Sequence, residues 1–180
     1  MQWYDPNSYA TNPGGVSLSR EKFREARNCL PLFTRMFVDD HSFEKVDQWL
    51  RMGDTNPAIV KSVDPLIISA YAQDVDAVLF LKFPKKLVQI YGLEVGTRLV
   101  TSNIFHQWDS KDVIQGEFST HAYGDFIPIV QLFLSDEVLK IIKRPETIPE
   151  EMWERVNFLT KEKEMKYPKI KPRNGFAFMW

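Results

Sequence analysis

The sequence predicts an α+β fold in a single domain. Three observations carry that expectation. Amphipathic stretches at helical spacing lie towards both ends, short apolar runs of strand length fill the middle, and no linker rich in Pro, Gly or Ser divides the chain. The expected sheet is small and mostly antiparallel. It consists of a hairpin over 66–83 plus a strand over about 97–105, packed against N-terminal and C-terminal helices. A length of 180 residues suits one domain, and 44% apolar with 26% charged residues excludes a disordered chain.

Residues 1–16 read as an extended N-terminal arm, because Pro6, Asn12, Pro13, Gly14 and Gly15 interrupt both helix and strand. Trp3, Tyr4 and Tyr9 make this arm too apolar for a solvated tail, so it is expected to fold back on the domain, or else to dock on a partner. Residues 17–180 form the domain itself. Ser17 or Ser19 can cap a helix from about Arg20, with Phe23, Ala26 and Leu30 on one face and Pro31 as its stop. A second helix runs from about Ser42 to Met52, with Phe43, Val46, Trp49 and Leu50 inward and Gly53 at its end.

Leu66–Tyr71 and Ala77–Phe83 then pair as the hairpin. The second run is almost wholly apolar, as a central strand covered on both faces requires. Lys85–Tyr91 forms a short helix closed by Gly92, and Thr97–Phe105 a third strand. Residues 106–125 form a long loop with room for a strand within 112–118. Phe126–Leu134 contains Pro128, which restricts it to a sheet edge or to the start of a helix. Ser135 caps a helix over Asp136–Lys143. Thr147-Ile148-Pro149-Glu150 reads as a capping box for the last helix, whose buried stripe is Ile148, Met152, Val156 and Leu159. From about Lys161 a basic, aromatic tail follows. Its last residues, Phe176 to Trp180, are expected to pack back on the domain, an added strand being one way to do so.

Composition narrows the function. The net charge is −1, although residues 141–180 hold nine Lys or Arg against six Glu and so leave the rest acidic. A lone Cys29 forms no internal disulfide, as a reducing compartment permits. With no basic-then-apolar leader after Met1 and no apolar run near the roughly 18–20 residues that span a bilayer, a cytoplasmic protein without a membrane partner is expected. Gly92-Leu93-Glu94-Val95-Gly96 lacks the Lys-Ser/Thr of a phosphate loop and the third glycine of a dinucleotide site. His41, His106 and His121 have no metal-ligand spacing and Cys29 has no second Cys, so no metal and no other cofactor is expected. Cys29 also lies near a helix C-terminus, which disfavours a thiolate. The tail cations Lys161, Lys163, Lys166, Lys169, Lys171 and Arg173 are diluted by Glu162 and Glu164, so nucleic acid is not the expected partner.

Acidic surface remains. Asp39, Asp40, Glu44 and Asp47 cluster about the start of the second predicted helix, and Trp108 and Asp112 lie in the central loop with Asp109, Glu117 and Asp125. Such patches steer basic partners. The expectation is therefore a non-enzymatic domain that binds another protein through Asp39, Asp40, Glu44, Asp47, Trp108 and Asp112. An immunity protein neutralising a cognate toxin is one instance, and no motif identifies the partner. The first alternative is a small hydrolase using His106, Asp109 and His121 in the 106–125 loop. The second is a small-ligand sensor with a cleft beside the sheet.

Overall fold

The computed structural model describes residues 10–107, 109–120 and 123–179, and these form an α+β fold of six α-helices around one curled sheet. The arm folds back from Asn12 onward. Its carbonyl accepts from Thr55 N at 2.8 Å, Gly14 N donates to Gly53 O at 2.9 Å, and Gly15 N donates to Arg51 O at 2.8 Å. Gly14 is required there, since a Cβ would stand 2.1 Å from Leu50 O and 2.3 Å from Ser102 Oγ. Val16 and Leu18 follow into the core. Trp3, Tyr4 and Tyr9 lie outside the described residues.

Three helices come next. In α1 (Arg20–Asn28), Ser19 Oγ accepts from Lys22 N, and Phe23 and Ala26 are buried. Pro31 stops it and starts α2 (Leu32–Arg35), a single turn. The next helix, α3 (Asp40–Met52), begins two residues earlier than its apolar periodicity predicts. Asp39 is the reason: its carboxylate accepts from Ser42 N at 2.9 Å while Ser42 Oγ accepts from Asp39 N at 3.3 Å, a reciprocal cap.

The sheet strands are β1 (Asp54–Val63), β2 (Leu66–Ala72), β3 (Ala77–Phe83), β4 (Arg98–His106), β5 (Ile114–Gln115), β6 (Asp125–Val130) and β7 (Arg173–Asn174). Their order is β5-β3-β2-β1-β4-β6, antiparallel throughout, with β7 added parallel to β3. The predicted hairpin and third strand are β2, β3 and β4. The strand the sequence hid is β1, which stands between β2 and β4 despite Pro57 and a polar start. Pro57 is tolerated because pairing with β2 begins one residue later, at Ala58↔Ala70. The Tyr71 carbonyl, next along β2, accepts from Asn103 Nδ2 at 2.8 Å instead. Pro128 does lie on an edge strand, β6, in register with Asn103 of β4. The outer edge of β3 is closed in two places, by β5 at Ala77–Val78 and by β7 at Leu81–Lys82.

Both faces of the central strands are covered, so every residue of β2 is buried and only Lys82 of β3 is exposed. One face meets α6 (Glu150–Lys166), where Ser69 and Thr160 hydroxyls lie 2.6 Å apart and Arg98 stacks 4.8 Å over Trp153. On the other, Phe83 meets Phe133 and Phe176 edge-on at 4.9 and 5.2 Å. Gly175 passes so close to Phe83 that a Cβ would lie 2.2 Å from the ring. The short helices α4 (Lys86–Tyr91), ended by left-handed Gly92, and α5 (Val138–Lys143) complete the domain.

Several local expectations are corrected. Thr147 does not cap α6; its hydroxyl donates back to Arg144 O at 2.8 Å, and the first residue of the cap is Pro149, with no side-chain acceptor. The buried stripe of α6 is Trp153, Val156, Leu159 and Lys163, with Met152 only partly covered, so the helix is rotated from its predicted face. Residues from Lys161 are not tail but helix as far as Lys166, and Lys163 is completely buried. Ser135 does not cap α5, which begins at Val138 with Glu137 at its cap position and no side-chain cap; Ser135 Oγ accepts from Glu137 N at 3.2 Å, ahead of the helix. The added strand is Arg173–Asn174, earlier than predicted, and Phe176, Phe178 and Met179 then pack into the core. No helix among the described residues is long and apolar enough to cross a membrane.

Candidate partner-binding surface

The loop after β4 holds the residues of the hydrolase alternative, of which His106 and Asp109 are among the described residues. His106 ends β4 in register with Asp125 and is buried. Burial pushes its imidazole towards the neutral form, against the opposing pull of the Asp125 charge. Asp109 is exposed, and Trp108 and His121 lie outside the described residues. Among the described residues no group of three His, Cys, Asp or Glu side chains is placed to hold a metal ion.

What this region builds is a latch. Asp125 accepts from Ser110 Oγ at 2.7 Å and from Arg173 Nη2 at 2.8 Å. Arg173 also grips Asp112 through Nε at 2.5 Å and Nη2 at 2.6 Å. Burial alone would raise the Asp112 carboxyl, but the Arg173 hydrogen bonds outweigh it and hold the group below the usual range. Asp112, predicted to face a partner, thus has an internal one. Beneath it Lys163 donates to Asp112 O at 2.5 Å and to Val78 O at 3.4 Å, with Phe80 4.6 Å away. No carboxylate of the described residues forms an ion pair with Lys163, and burial pushes its ammonium down to about 8.

The acidic cluster on α3 divides similarly. The Asp39 carboxyl is held below its usual range by the Ser42 backbone and side chain. Asp47 accepts from Leu18 N at 2.8 Å and pairs with Arg51 at 2.7 Å. Asp40 and Glu44 are exposed, and their side chains form no hydrogen bond or ion pair with any described residue.

The surface that sequence reasoning missed adjoins Asp39 and Asp40. Between α1 and α3 the chain runs Leu-Phe-Thr-Arg-Met-Phe over residues 32–37. Pro31 begins a helix too short to bury a face, and Leu32, Phe33, Met36 and Phe37 stand 61–77% exposed. Isolated exposed apolar side chains are ordinary, but four within six residues form a patch. The patch sits on a held backbone. Arg27 Nε and Nη2 donate to Arg35 O at 3.2 and 2.9 Å, and Arg35 Nε donates to Leu30 O at 2.7 Å. Phe33 and Phe37 support each other edge-on at 5.2 Å. A cleft of about 410 Å³ opens beside them, lined by Arg20, Arg24 and Arg27 of α1 and by Asp39 and Asp40 at the start of α3. Met36 and Phe43 supply apolar lining, Met36 belonging to both patch and cleft. The signal in the sequence was there: two adjacent apolar pairs one helical turn apart, directly after a proline, with no room for a buried stripe.

The chain matches no protein-family model, and no curated protein or solved structure aligns with it significantly.

Proposed function

We propose that this protein is a binding module for another protein, and that it docks its partner on the corner formed by α1, α2 and α3. The observation that supports this most is the set of exposed side chains Leu32, Phe33, Met36 and Phe37 on a turn pinned by Arg27 and Arg35. Leaving that much apolar surface in water has a cost that burial in an interface removes. A preformed backbone further reduces the ordering entropy of association. The acidic residues retain a part: Asp39 and Asp40 line the cleft and Glu44 lies one turn along α3. The reading stops at protein binding, because neutralising a toxin adds a partner identity that no residue here encodes.

Site-specific photocrosslinking in the native host tests the proposal. A benzophenone side chain at Phe33 is expected to capture one discrete protein, whereas the same group at Met165, 75% exposed on α6, captures none. Equal labelling at the two positions, or no adduct at Phe33, sinks it.

A further inference from the structure

We infer that the partner offers the corner an acidic helix with an apolar edge, its carboxylates seated on Arg20 and Arg24. This rests on the corner being a protein-docking surface, and it adds the chemistry of what docks.

Arg20, Arg24 and Arg27 recur at i, i+4 and i+7 of α1, so they project from one face. At about 1.5 Å rise per residue, Arg20 and Arg24 stand roughly 6 Å apart along the axis. The guanidinium of Arg20 lies 4.5 Å from the Phe43 ring centroid, a cation–π contact that uses none of its N–H donors in hydrogen bonds. Arg27 is committed to the Arg35 carbonyl. Arg20 and Arg24 are exposed and have no hydrogen bond or ion pair with any described residue, although two aspartates line the same cleft. Two unneutralised guanidinia beside an apolar floor call for an anionic ligand with apolar side chains. Carboxylates at i and i+4 of a partner helix have the same spacing of about 6 Å. The residues between them can reach Met36 and Phe43, and the helix continues over Phe33 and Phe37.

The two aspartates lining the cleft decide between classes of anion. A nucleic-acid strand would carry phosphates past Asp39 and Asp40 and offer little to the aliphatic chains of Leu32 and Met36. A helix of mixed composition can place its acids on the arginines and a lysine or arginine opposite Asp40, so the cleft's charges orient it as well as attract it.

The probe is a library of randomised 16-residue peptides displayed on phage and selected on the full-length chain. Binding of the recovered peptides is then measured by fluorescence anisotropy. Recovered peptides should combine Leu, Phe or Trp with Asp or Glu four residues apart. Their affinity should fall about tenfold or more in R20E/R24E, fall with added salt, and fall likewise in F33D/M36D. All four positions are exposed, so the variants should keep the wild-type melting temperature by circular dichroism. Peptides that need Phe33 and Met36 but lack acids and ignore R20E/R24E would overturn the acidic helix and leave the docking surface standing. Peptides indifferent to both double variants would remove the docking surface as well. Tighter binding of oligothymidine, or a concentration-dependent dimer abolished by F33D/M36D in sedimentation, would overturn the acidic helix in favour of a nucleic acid or a second copy.

Discussion

Arginine and aspartate come together in two regions of this molecule, with opposite outcomes. At the C-terminal latch, Arg173 meets Asp112 and Asp125 with three short hydrogen bonds and closes the sheet edge. At the α1–α3 corner, Arg20 and Arg24 share a cleft with two aspartates and bind neither. The residue types are the same, and the difference is where the carboxylates are held. Asp125 is fixed in β6 within reach of Arg173, whereas Asp39 is turned towards Ser42 to cap α3. An ion pair completed inside the protein fastens a segment, and one left incomplete at the surface is available for recognition.

Breaking the latch should show the contrast most strongly. R173A leaves two partly buried carboxylates without their cation, and breaking such a pair costs about 4 kcal/mol. Urea unfolding should therefore shift clearly, and limited proteolysis should cut near residue 173. A loss under 1 kcal/mol would mean that the aromatic residues after it, not the ion pairs, hold the strap.

Lys163 gives the next effect, through pH. Its folded value of about 8 lies below the ordinary 10.5 of a lysine, so between those two the unfolded chain binds the extra proton. Stability then rises as pH climbs from about 8 towards 10.5, and the penalty for burying the charged form is fully present below 8. A gap of that size corresponds to about 3 kcal/mol across the window. K163M should lack this rise, so the difference between wild-type and variant unfolding free energies should depend on pH only in that window. Parallel curves would show that Lys163 keeps its proton in both states.

Smaller effects belong to the corner. D39A removes the reciprocal cap of α3 and should cost about 1 kcal/mol in thermal or urea unfolding. R24A combined with F33S should change stability by no more than about 0.5 kcal/mol, because both side chains project into solvent. A large loss from the second variant would make the corner a part of the fold instead of an interface.

Much of the fold could be read from periodicity. The alternation and apolar runs marked β2, β3 and β4, and the helical spacing marked α1 and α3 to within about two residues. The hidden strand β1 shows where such reading fails. Pro57 argues against a central strand, and its position at the end of the β2 ladder is a matter of register, which no single segment contains. The candidate site was legible only in part. Asp40 and Glu44 face solvent as their charge implies, yet Asp47 and Asp112 look the same in sequence and are bound by Leu18 N and Arg51 in one case and by Arg173 in the other. Exposure of Leu32, Phe33, Met36 and Phe37 reverses what their hydrophobicity implies, since α2 is too short to turn a face inward.

Local chemistry therefore settled the α+β class, the hairpin and the helix stop at Pro31, and left the proline-bearing β6 between an edge strand and a helix start, because backbone sterics and apolar period act over a few residues. Tertiary structure alone decided which of the look-alike carboxylates Arg173 neutralises and that Lys163 lies in the core. Those outcomes depend on which groups meet across long stretches of chain, as Asp112 and Arg173 do 61 residues apart.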